Sequence, residues 1–251
     1  MKTNQTQDTD RPGTPRRGAA VQQTAPQVQQ GAAAPAPRAV RVLRRVVRGI
    51  FRLVFRVRVV GLAQVPTTPV IICANHLGWA DMFLVLLFFP VEPRIYVLGE
   101  QEVRTISRWR TWLIDRLEIM VALDRRNPLR AVRTMDDVLR RGGSLLIFPE
   151  GQLGTAEGAL QPLAEGAARA SLVTGAPLLP VGLTGTRELW LRRPLTMRIG
   201  APIAPASVTG TTHERVDALT TRLRTAMLAL LPGDPVRPRW KPLRAWLTRL
   251  F

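Results

Sequence analysis

Apolar and polar residues alternate along the chain with two different periods, which predicts strands and helices in turn. Short continuous apolar runs bounded by Gly, Pro or Asn are typical of buried strands, whereas three- and four-residue spacing is typical of helices. The predicted strands are 57–60, 70–73, 94–98, 119–123, 144–148, 178–183 and 195–199. The predicted helices are 82–89, 102–117, 128–139, 167–174 and one that Thr211 caps and that reaches Leu230. This order predicts an α/β fold with a mainly parallel, helix-covered central sheet.

A basic amphipathic helix is predicted before the first strand, over residues 38–58. Its apolar positions recur at helical spacing: Leu43, Val46, Val47, Ile50, Phe51 and Val54. Arginines occupy the positions between them: Arg41, Arg44, Arg45, Arg48, Arg52 and Arg56. Arginine can lay its stem along an apolar boundary while its guanidinium meets lipid phosphate, so the helix suits an anionic membrane surface. The alternative is that the apolar stripe packs on the domain, and one helix can do both.

Three further regions complete the predicted organisation. Residues 1–37 are rich in Gln, Ala, Pro, Thr and Gly, which predicts a disordered tail without the apolar core of a secretory signal. Residues 59–231 hold the predicted domain. Residues 232–251 form a basic amphipathic tail, either a second membrane contact or an exposed basic tail. The longest apolar stretch, 82–91, is shorter than the roughly 20 residues that span a bilayer, so we expect a peripheral or monotopic protein.

The net charge of +18 is concentrated near the two ends, because residues 1–60 and 232–251 carry fourteen of these charges. A nucleic-acid-binding protein is one class with such a charge. Arginine-rich nucleic-acid tails do not need large apolar residues at helical spacing, however, and no RNP, KH or zinc-finger pattern is present. The single cysteine, Cys73, excludes an internal disulfide and a multi-cysteine metal site. We therefore expect an anionic membrane surface as a partner and no nucleic acid.

The segment 75–81, NHLGWAD, places an imidazole and a carboxylate five residues apart, directly after a predicted strand. On one continuous helix, these two side chains would point about 140° apart. Gly78 permits a turn, which puts His76 in a loop and Asp81 in the first turn of the next helix, where the side chains can meet. A carboxylate bound to one imidazole nitrogen leaves the other nitrogen available as a base. The alternative is that His76 caps a turn and Asp81 caps a helix.

A second carboxylate, Glu150, follows the predicted strand 144–148 in the motif FPEG, residues 148–151. Because α/β proteins gather their chemistry at the carboxyl ends of parallel strands, we expect Glu150 to lie at the same sheet edge as His76.

These segments together resemble the glycerolipid (lysophospholipid) acyltransferases typified by 1-acylglycerol-3-phosphate acyltransferase. Residues 75–81 match the family motif NHxxxxD, and residues 148–151 match its FPEG motif. Asp124-Arg125 matches the intervening block that ends in an arginine, and residues 175–181 look like the fourth block. Four blocks in the family's order over residues 70–185 make the resemblance specific.

The resemblance implies the transfer of a fatty acyl group from a thioester to a hydroxyl of a lysoglycerophospholipid. The favoured acceptor is 1-acylglycerol-3-phosphate, and another lysolipid or hydroxyl compound is the alternative. The donor would be acyl-CoA or an acyl-carrier protein, and no metal or bound cofactor is required. The expected location is the cytoplasmic face of the cell membrane.

The resemblance also implies roles for individual residues. His76 would take the proton from the acceptor hydroxyl while Asp81 holds the imidazole, and no acyl-enzyme would form. A backbone N–H near Glu150-Gly151 or near the His76 loop would stabilise the oxyanion. Arg125 would hold the acceptor phosphate, which its planar fork suits. The full set of expected substrate-binding residues is Asn75, Arg125, Glu150 and Gly151.

The chain departs from the family at two places that bear on the acceptor. Gln152-Leu153 follows FPEG where the family has Thr-Arg, and Ala164 stands where a lysine is frequent. Both changes remove cations that could hold a phosphate. A covalent hydrolase with Cys73 as nucleophile is the rival enzyme class, but no GxSxG elbow is present and the apolar surroundings of Cys73 favour an inert thiol.

Overall fold

A seven-stranded sheet forms the centre of the computed structural model, which describes residues 38–100, 120–123, 128–231 and 240–250. The strands are β1 (Arg56–Val60), β2 (Ile71–Ala74), β3 (Ile95–Glu100), β4 (Met120–Leu123), β5 (Ser144–Ile147), β6 (Leu178–Thr184) and β7 (Pro194–Ile199). Their order across the sheet is β1-β7-β6-β2-β5-β3-β4. Every neighbouring pair is parallel except β6 and β7. The predicted mainly parallel α/β sheet is confirmed.

Helices cover both faces of this sheet. They are α1 (Arg38–Val54), α2 (Ala80–Phe88), α3 (Pro128–Arg140), α4 (Gly166–Thr174), α5 (Thr212–Ala229) and α6 (Arg244–Thr248). On one face, Phe51 of α1 and Leu84 of α2 share a core with Ile72 of β2. On the other face, α3, α4 and α5 pack on the sheet, for example through Leu219 and Leu145. No helix within the described ranges is long and apolar enough to cross a membrane.

Several predicted helix ends are confirmed by their capping residues. The Thr211 hydroxyl accepts from the Glu214 N–H, and the Glu214 carboxylate accepts from the Thr211 N–H at 2.8 Å, which is the predicted capping box of α5. Gly175, with φ of 75°, ends α4 as predicted, because glycine adopts the left-handed conformation without a steric cost. By contrast, α2 begins two residues before the predicted position, because Trp79 already has helical φ and ψ. The predicted helix 102–117 lies outside the described residues.

The helix predicted over residues 38–58 ends earlier, at Val54, and β1 then begins at Arg56. Arg192 caps the helix at this point, because it binds the last carbonyl groups of α1. Its backbone N–H donates to Val54 O at 2.6 Å, and its guanidinium donates to Arg52 O and Leu53 O at 3.2 Å each. These bonds satisfy carbonyls that a helix end leaves without intrahelical partners.

α1 has two apolar faces. One is inside the domain, where Phe51 is buried and Val47 and Val54 pack against the core. Arg44 also points inward, because its guanidinium donates to Leu87 O and Phe89 O at the end of α2. Burial, followed by the charge of the neighbouring Arg48, lowers the pKa of Arg44.

The other apolar face of α1 is exposed and is called the outer stripe below. It consists of Val42, Leu43, Val46, Ile50 and Leu53, which are between 41% and 73% exposed. The helix therefore packs on the domain and still presents an apolar surface outward.

The end of the chain lies on the domain beside α1 and α2. Leu247 of α6 is buried in the core that contains Phe51, and its carbonyl accepts from the Trp79 indole N–H at 2.9 Å. Glu188 forms ion pairs with Lys241 and Arg244. Residues 240–250 thus contact the domain, although the indole-bearing residue Trp246 is 61% exposed.

Candidate active site

The side chains of His76 and Asp81 are in direct contact. β2 ends at Ala74, His76 lies in the following loop, and Asp81 lies in the first turn of α2. The imidazole Nδ1 and the carboxylate Oδ2 are 2.9 Å apart. Gly78 permits the close approach of this loop to the segment that follows β6, since a Cβ there would lie 3.0 Å from the carbonyl oxygen of Thr186.

Asp81 also organises the backbone of the loop. Its side chain is fully buried, and Oδ2 accepts from the N–H groups of Leu77 at 2.5 Å and Gly78 at 2.8 Å. A carboxylate oxygen can only accept hydrogen bonds. Its contact with His76 therefore needs a hydrogen on the imidazole, so Nδ1 carries the hydrogen. Nε2 is then the nitrogen with a lone pair.

The imidazole of His76 has one protected face and a route to solvent. Its ring stacks on Phe148, with centroids 4.1 Å apart and an angle of 17° between the planes. The side chain is 28% exposed. The ring is therefore fixed on two sides while part of it remains accessible to a substrate.

Glu150 holds the backbone of His76. Its Oε1 accepts from the His76 N–H at 2.9 Å, and its Oε2 accepts from the Gln161 N–H at 2.7 Å. In return, the His76 carbonyl accepts from the Gly154 N–H at 2.6 Å. The loop after β5 thus contacts the His76 peptide on both sides. As predicted, Glu150 and His76 lie at the same edge of the sheet.

Asn75 joins the end of β2 to β6. Its amide nitrogen donates to Leu183 O at 3.0 Å, and its amide oxygen accepts from the Leu183 N–H at 2.7 Å. The side chain is buried and continues the β2–β6 ladder beyond the last strand residue. Its polar atoms are therefore engaged inside the sheet.

Four backbone N–H groups near the predicted oxyanion position already have acceptors. The N–H groups of His76, Leu77 and Gly78 donate to Glu150 or Asp81. Gly151, with φ of 67°, donates its N–H to Phe148 O at 3.1 Å. An oxyanion donor from these loops must therefore be another N–H or must exchange its present partner.

The predicted phosphate-binding region is described only in part. Arg125 and Asp124 lie outside the described residues, between the end of β4 at Leu123 and the start of α3 at Pro128. Leu153, which stands in place of the family arginine, is 57% exposed on the loop after β5.

Cys73 lacks the surroundings of a nucleophile. The side chain is fully buried in β2, and burial raises the pKa of its thiol. Among the described residues, no group of three or more His, Cys, Asp or Glu could hold a metal ion.

Sequence reasoning missed two contacts of the site. Phe148 belongs to the recognised FPEG motif, but the motif does not indicate that its ring stacks on His76. Gln161 contributes only a backbone N–H, and no feature of its side chain could have indicated this contact.

Comparison with known proteins identifies the family of this chain. A family model described as Acyltransferase matches residues 56–184, which is more than half of the chain and includes both motifs. The chain belongs to the acyltransferase family.

Individual members of the acyltransferase family support this assignment. The chain is 31% identical over 141 residues to a 1-acyl-sn-glycerol-3-phosphate acyltransferase of Cocos nucifera, covering 53% of this chain and 42% of that protein. It is 29% identical over 165 residues to the protein of the same name from Pseudomonas aeruginosa, covering 62% and 60%. The chain therefore spans about half the length of the curated relatives it matches.

The crystal structure of the 1-acyl-sn-glycerophosphate (LPA) acyltransferase PlsC from Thermotoga maritima has the same fold. The match has a TM-score of 0.59 and 23% sequence identity, and it covers 77% of this chain and 81% of that chain. It supports the topology of the sheet.

Proposed function

We propose that this protein transfers a fatty acyl group from an acyl thioester to the free hydroxyl of 1-acylglycerol-3-phosphate. The observation that carries the proposal is the 2.9 Å contact between His76 Nδ1 and Asp81 Oδ2, with the imidazole partly exposed at the sheet edge. The names of the family relatives supply the substrate class.

In the proposed mechanism, Nε2 of His76 accepts the proton of the acceptor hydroxyl. The hydroxyl oxygen then forms a bond with the carbonyl carbon of the thioester, and the carbon–sulfur bond breaks as the tetrahedral intermediate collapses. The proton held on His76 passes to the departing thiolate. Asp81 stabilises the imidazolium during this exchange, and no acyl-enzyme forms. These steps require no metal or bound cofactor.

We assign positioning roles to Asn75 and Glu150. Their polar atoms bind backbone groups of β6, His76 and Gln161, so they fix the loop that carries the imidazole. Gly151 and Arg125 are the proposed substrate contacts, with Arg125 on the acceptor phosphate. A guanidinium suits that task because it can donate two parallel hydrogen bonds to phosphate oxygens.

A second acceptor class has specific support. Leu153 is exposed and apolar where the family has an arginine, which favours an acceptor whose headgroup carries less charge. Lysophosphatidylcholine, lysophosphatidylglycerol and a neutral glycerol ether represent this class.

We also propose that the protein works on an anionic membrane surface, at the cytoplasmic face of the cell membrane. The outer stripe of α1 supports this placement, because its exposed apolar residues are accompanied on the same helix by the exposed arginines Arg41 and Arg45.

The test is kcat/KM of the purified protein with labelled acyl-CoA and a panel of acceptors. The panel contains lysophosphatidate and the three acceptors of the second class. We expect the highest value for lysophosphatidate. Preference for one of the others would replace the acceptor, and the absence of transfer to every acceptor, with acyl-carrier protein also tried as donor, would refute acyl transfer.

A further inference from the structure

An open pocket lined by arginines lies at the end of α1, apart from the candidate active site. It has a volume of about 550 Å³ and is lined by Arg52, Phe55, Arg56, Val57, Arg58, Arg192, Pro194 and Thr196. Four of these eight residues are arginines, and none is acidic. We call it the arginine pocket.

The arginine pocket opens at the same edge of the sheet as His76. β6 is parallel to β2, whereas β7 and β1 run in the opposite direction. The first residues of β1 and β7 therefore lie at the edge where β2 ends. β1 is three strands away from β2, which places the pocket roughly 14 Å from the active-site loop along the sheet.

Two of the arginines are directed to one face by the strand itself. Arg56 and Arg58 have one residue between them in β1, so their side chains share a face, and both are exposed. Their partners in the register are Pro194 and Thr196 of β7, which also line the pocket. The strand thus presents two guanidinium groups next to a hydroxyl.

A third guanidinium is held in place by the end of α1. Arg192 donates to Arg52 O and Leu53 O, which fixes its side chain and uses at most two of its five N–H groups. Its backbone has a φ of 67°, a conformation that few residues other than glycine adopt. A cation fixed in advance loses little conformational freedom when it binds an anion.

We propose that the arginine pocket binds the phosphate monoester headgroup of an anionic membrane lipid. Several guanidinium groups without a neighbouring carboxylate suit a group that carries nearly two charges and three acceptor oxygens. The outer stripe of α1 ends at Leu53, which is 73% exposed and directly follows Arg52 of the pocket. A lipid combines both features, because its phosphate fits the pocket while its acyl chains contact the stripe.

The proposal does not depend on acyl transfer, and its test contains no acyl donor. Binding is measured by flotation with phosphatidylcholine vesicles that contain either phosphatidic acid or phosphatidylglycerol at equal zeta potential. The wild-type protein is expected to prefer phosphatidic acid by at least roughly tenfold, the lower end of what one charge-assisted hydrogen bond contributes. Arg56→Gln/Arg58→Gln is expected to abolish this preference.

A matched control removes two charges elsewhere. Arg133 and Arg141 are exposed in and after α3, on the opposite side of the sheet from α1. Arg133→Gln/Arg141→Gln should keep the preference for phosphatidic acid. Arg56→Lys/Arg58→Lys should bind both vesicles but lose most of the preference, because lysine keeps the charge and lacks the planar fork. This variant also carries the test if thermal unfolding shows that the glutamine variant does not fold.

Three results would overturn the proposal. The first is an unchanged preference for phosphatidic acid in both Arg56/Arg58 variants. Another is a glutamine variant that loses binding to both kinds of vesicle equally. The third concerns the source of the phosphate and is measured by titration with CoA or inorganic phosphate. If the wild-type protein binds one of them and Arg56→Gln/Arg58→Gln abolishes this binding, the pocket takes a soluble phosphate and not a lipid.

Discussion

The backbone N–H of His76 donates to Oε1 of Glu150 at 2.9 Å, across 74 residues of sequence. The second oxygen of the same carboxylate accepts from Gln161. Glu150 therefore fixes the peptide of His76, whereas Asp81 fixes its ring. Two carboxylates, one in the loop after β5 and one in the first turn of α2, together determine the position of the imidazole.

Replacement of Glu150 should reduce turnover through the position of His76. Glu150→Gln keeps the shape but offers one acceptor oxygen where two N–H groups need one each, so kcat should fall by roughly tenfold to a hundredfold. Glu165→Gln is the matched control, since Glu165 pairs with Arg169 on the surface. Steady-state kinetics and thermal unfolding of both variants check this. Wild-type kcat in Glu150→Gln would contradict the positioning role.

Cys73 should prove dispensable for activity and unreactive in the folded protein. Cys73→Ala should keep kcat within about twofold, and iodoacetamide should modify the wild-type thiol only after unfolding. Because burial raises the pKa in the folded state, the contribution of the neutral thiol to stability is complete below its ordinary pKa of about 8.5 and is lost as pH rises above it. Wild type should therefore lose more stability than Cys73→Ala between neutral and alkaline pH. Loss of transfer in Cys73→Ala would revive the covalent alternative.

Neighbouring arginines of α1 should respond differently to substitution. Arg44 binds the end of α2, so Arg44→Met should lower thermal stability. Arg45 is exposed, so Arg45→Glu should leave circular dichroism unchanged and weaken binding to anionic vesicles by roughly tenfold at low salt, with a smaller effect at high salt. Vesicle binding that is insensitive to salt and to Arg45→Glu would show that α1 only packs on the domain.

Leu153→Arg restores the cation that the family has after FPEG. If lysophosphatidate is the acceptor, its KM should stay equal if the new guanidinium does not reach the phosphate. Its KM should fall by roughly tenfold to a hundredfold if the guanidinium forms one charge-assisted hydrogen bond. Val173→Arg, at an exposed position in the last turn of α4, adds the same charge outside the FPEG loop and should have no effect. A higher KM for lysophosphatidate in Leu153→Arg alone would indicate a pocket adapted to a less charged acceptor.

The features of the fold that depend on a local pattern of apolar, polar and capping residues could be predicted from the sequence. The continuous apolar runs 70–73 and 144–148 predicted β2 and β5. The pair Thr211 and Glu214 predicted the start of α5. Chemistry at the ends of these strands followed from the parallel order. Local pattern therefore sufficed for the individual strands, for a mainly parallel sheet and for the approach of His76 to Asp81, but not for the strand order or the antiparallel pair β6 and β7.

Contacts between distant segments could not be predicted in this way. The arginines of α1 look alike in sequence, yet Arg44 points inward because the carbonyls of α2 happen to lie beneath it. Leu247 belongs to a basic tail, but its side chain is buried in the core beside Phe51, and its carbonyl accepts from the indole of Trp79. The arginine pocket depends on Arg192 meeting the end of α1, more than 130 residues earlier in the chain.

The most direct test of the central claim is acyl transfer by His76→Ala, Asp81→Asn and the double variant. With labelled acyl thioester and 1-acylglycerol-3-phosphate, His76→Ala should reduce kcat by roughly 10²–10⁴ without loss of thermal stability. Asp81→Asn should also be slow, and the double variant should be little slower than His76→Ala, because the two side chains act as a unit. An active His76→Ala protein, or losses that add fully in the double variant, would contradict a His76–Asp81 dyad.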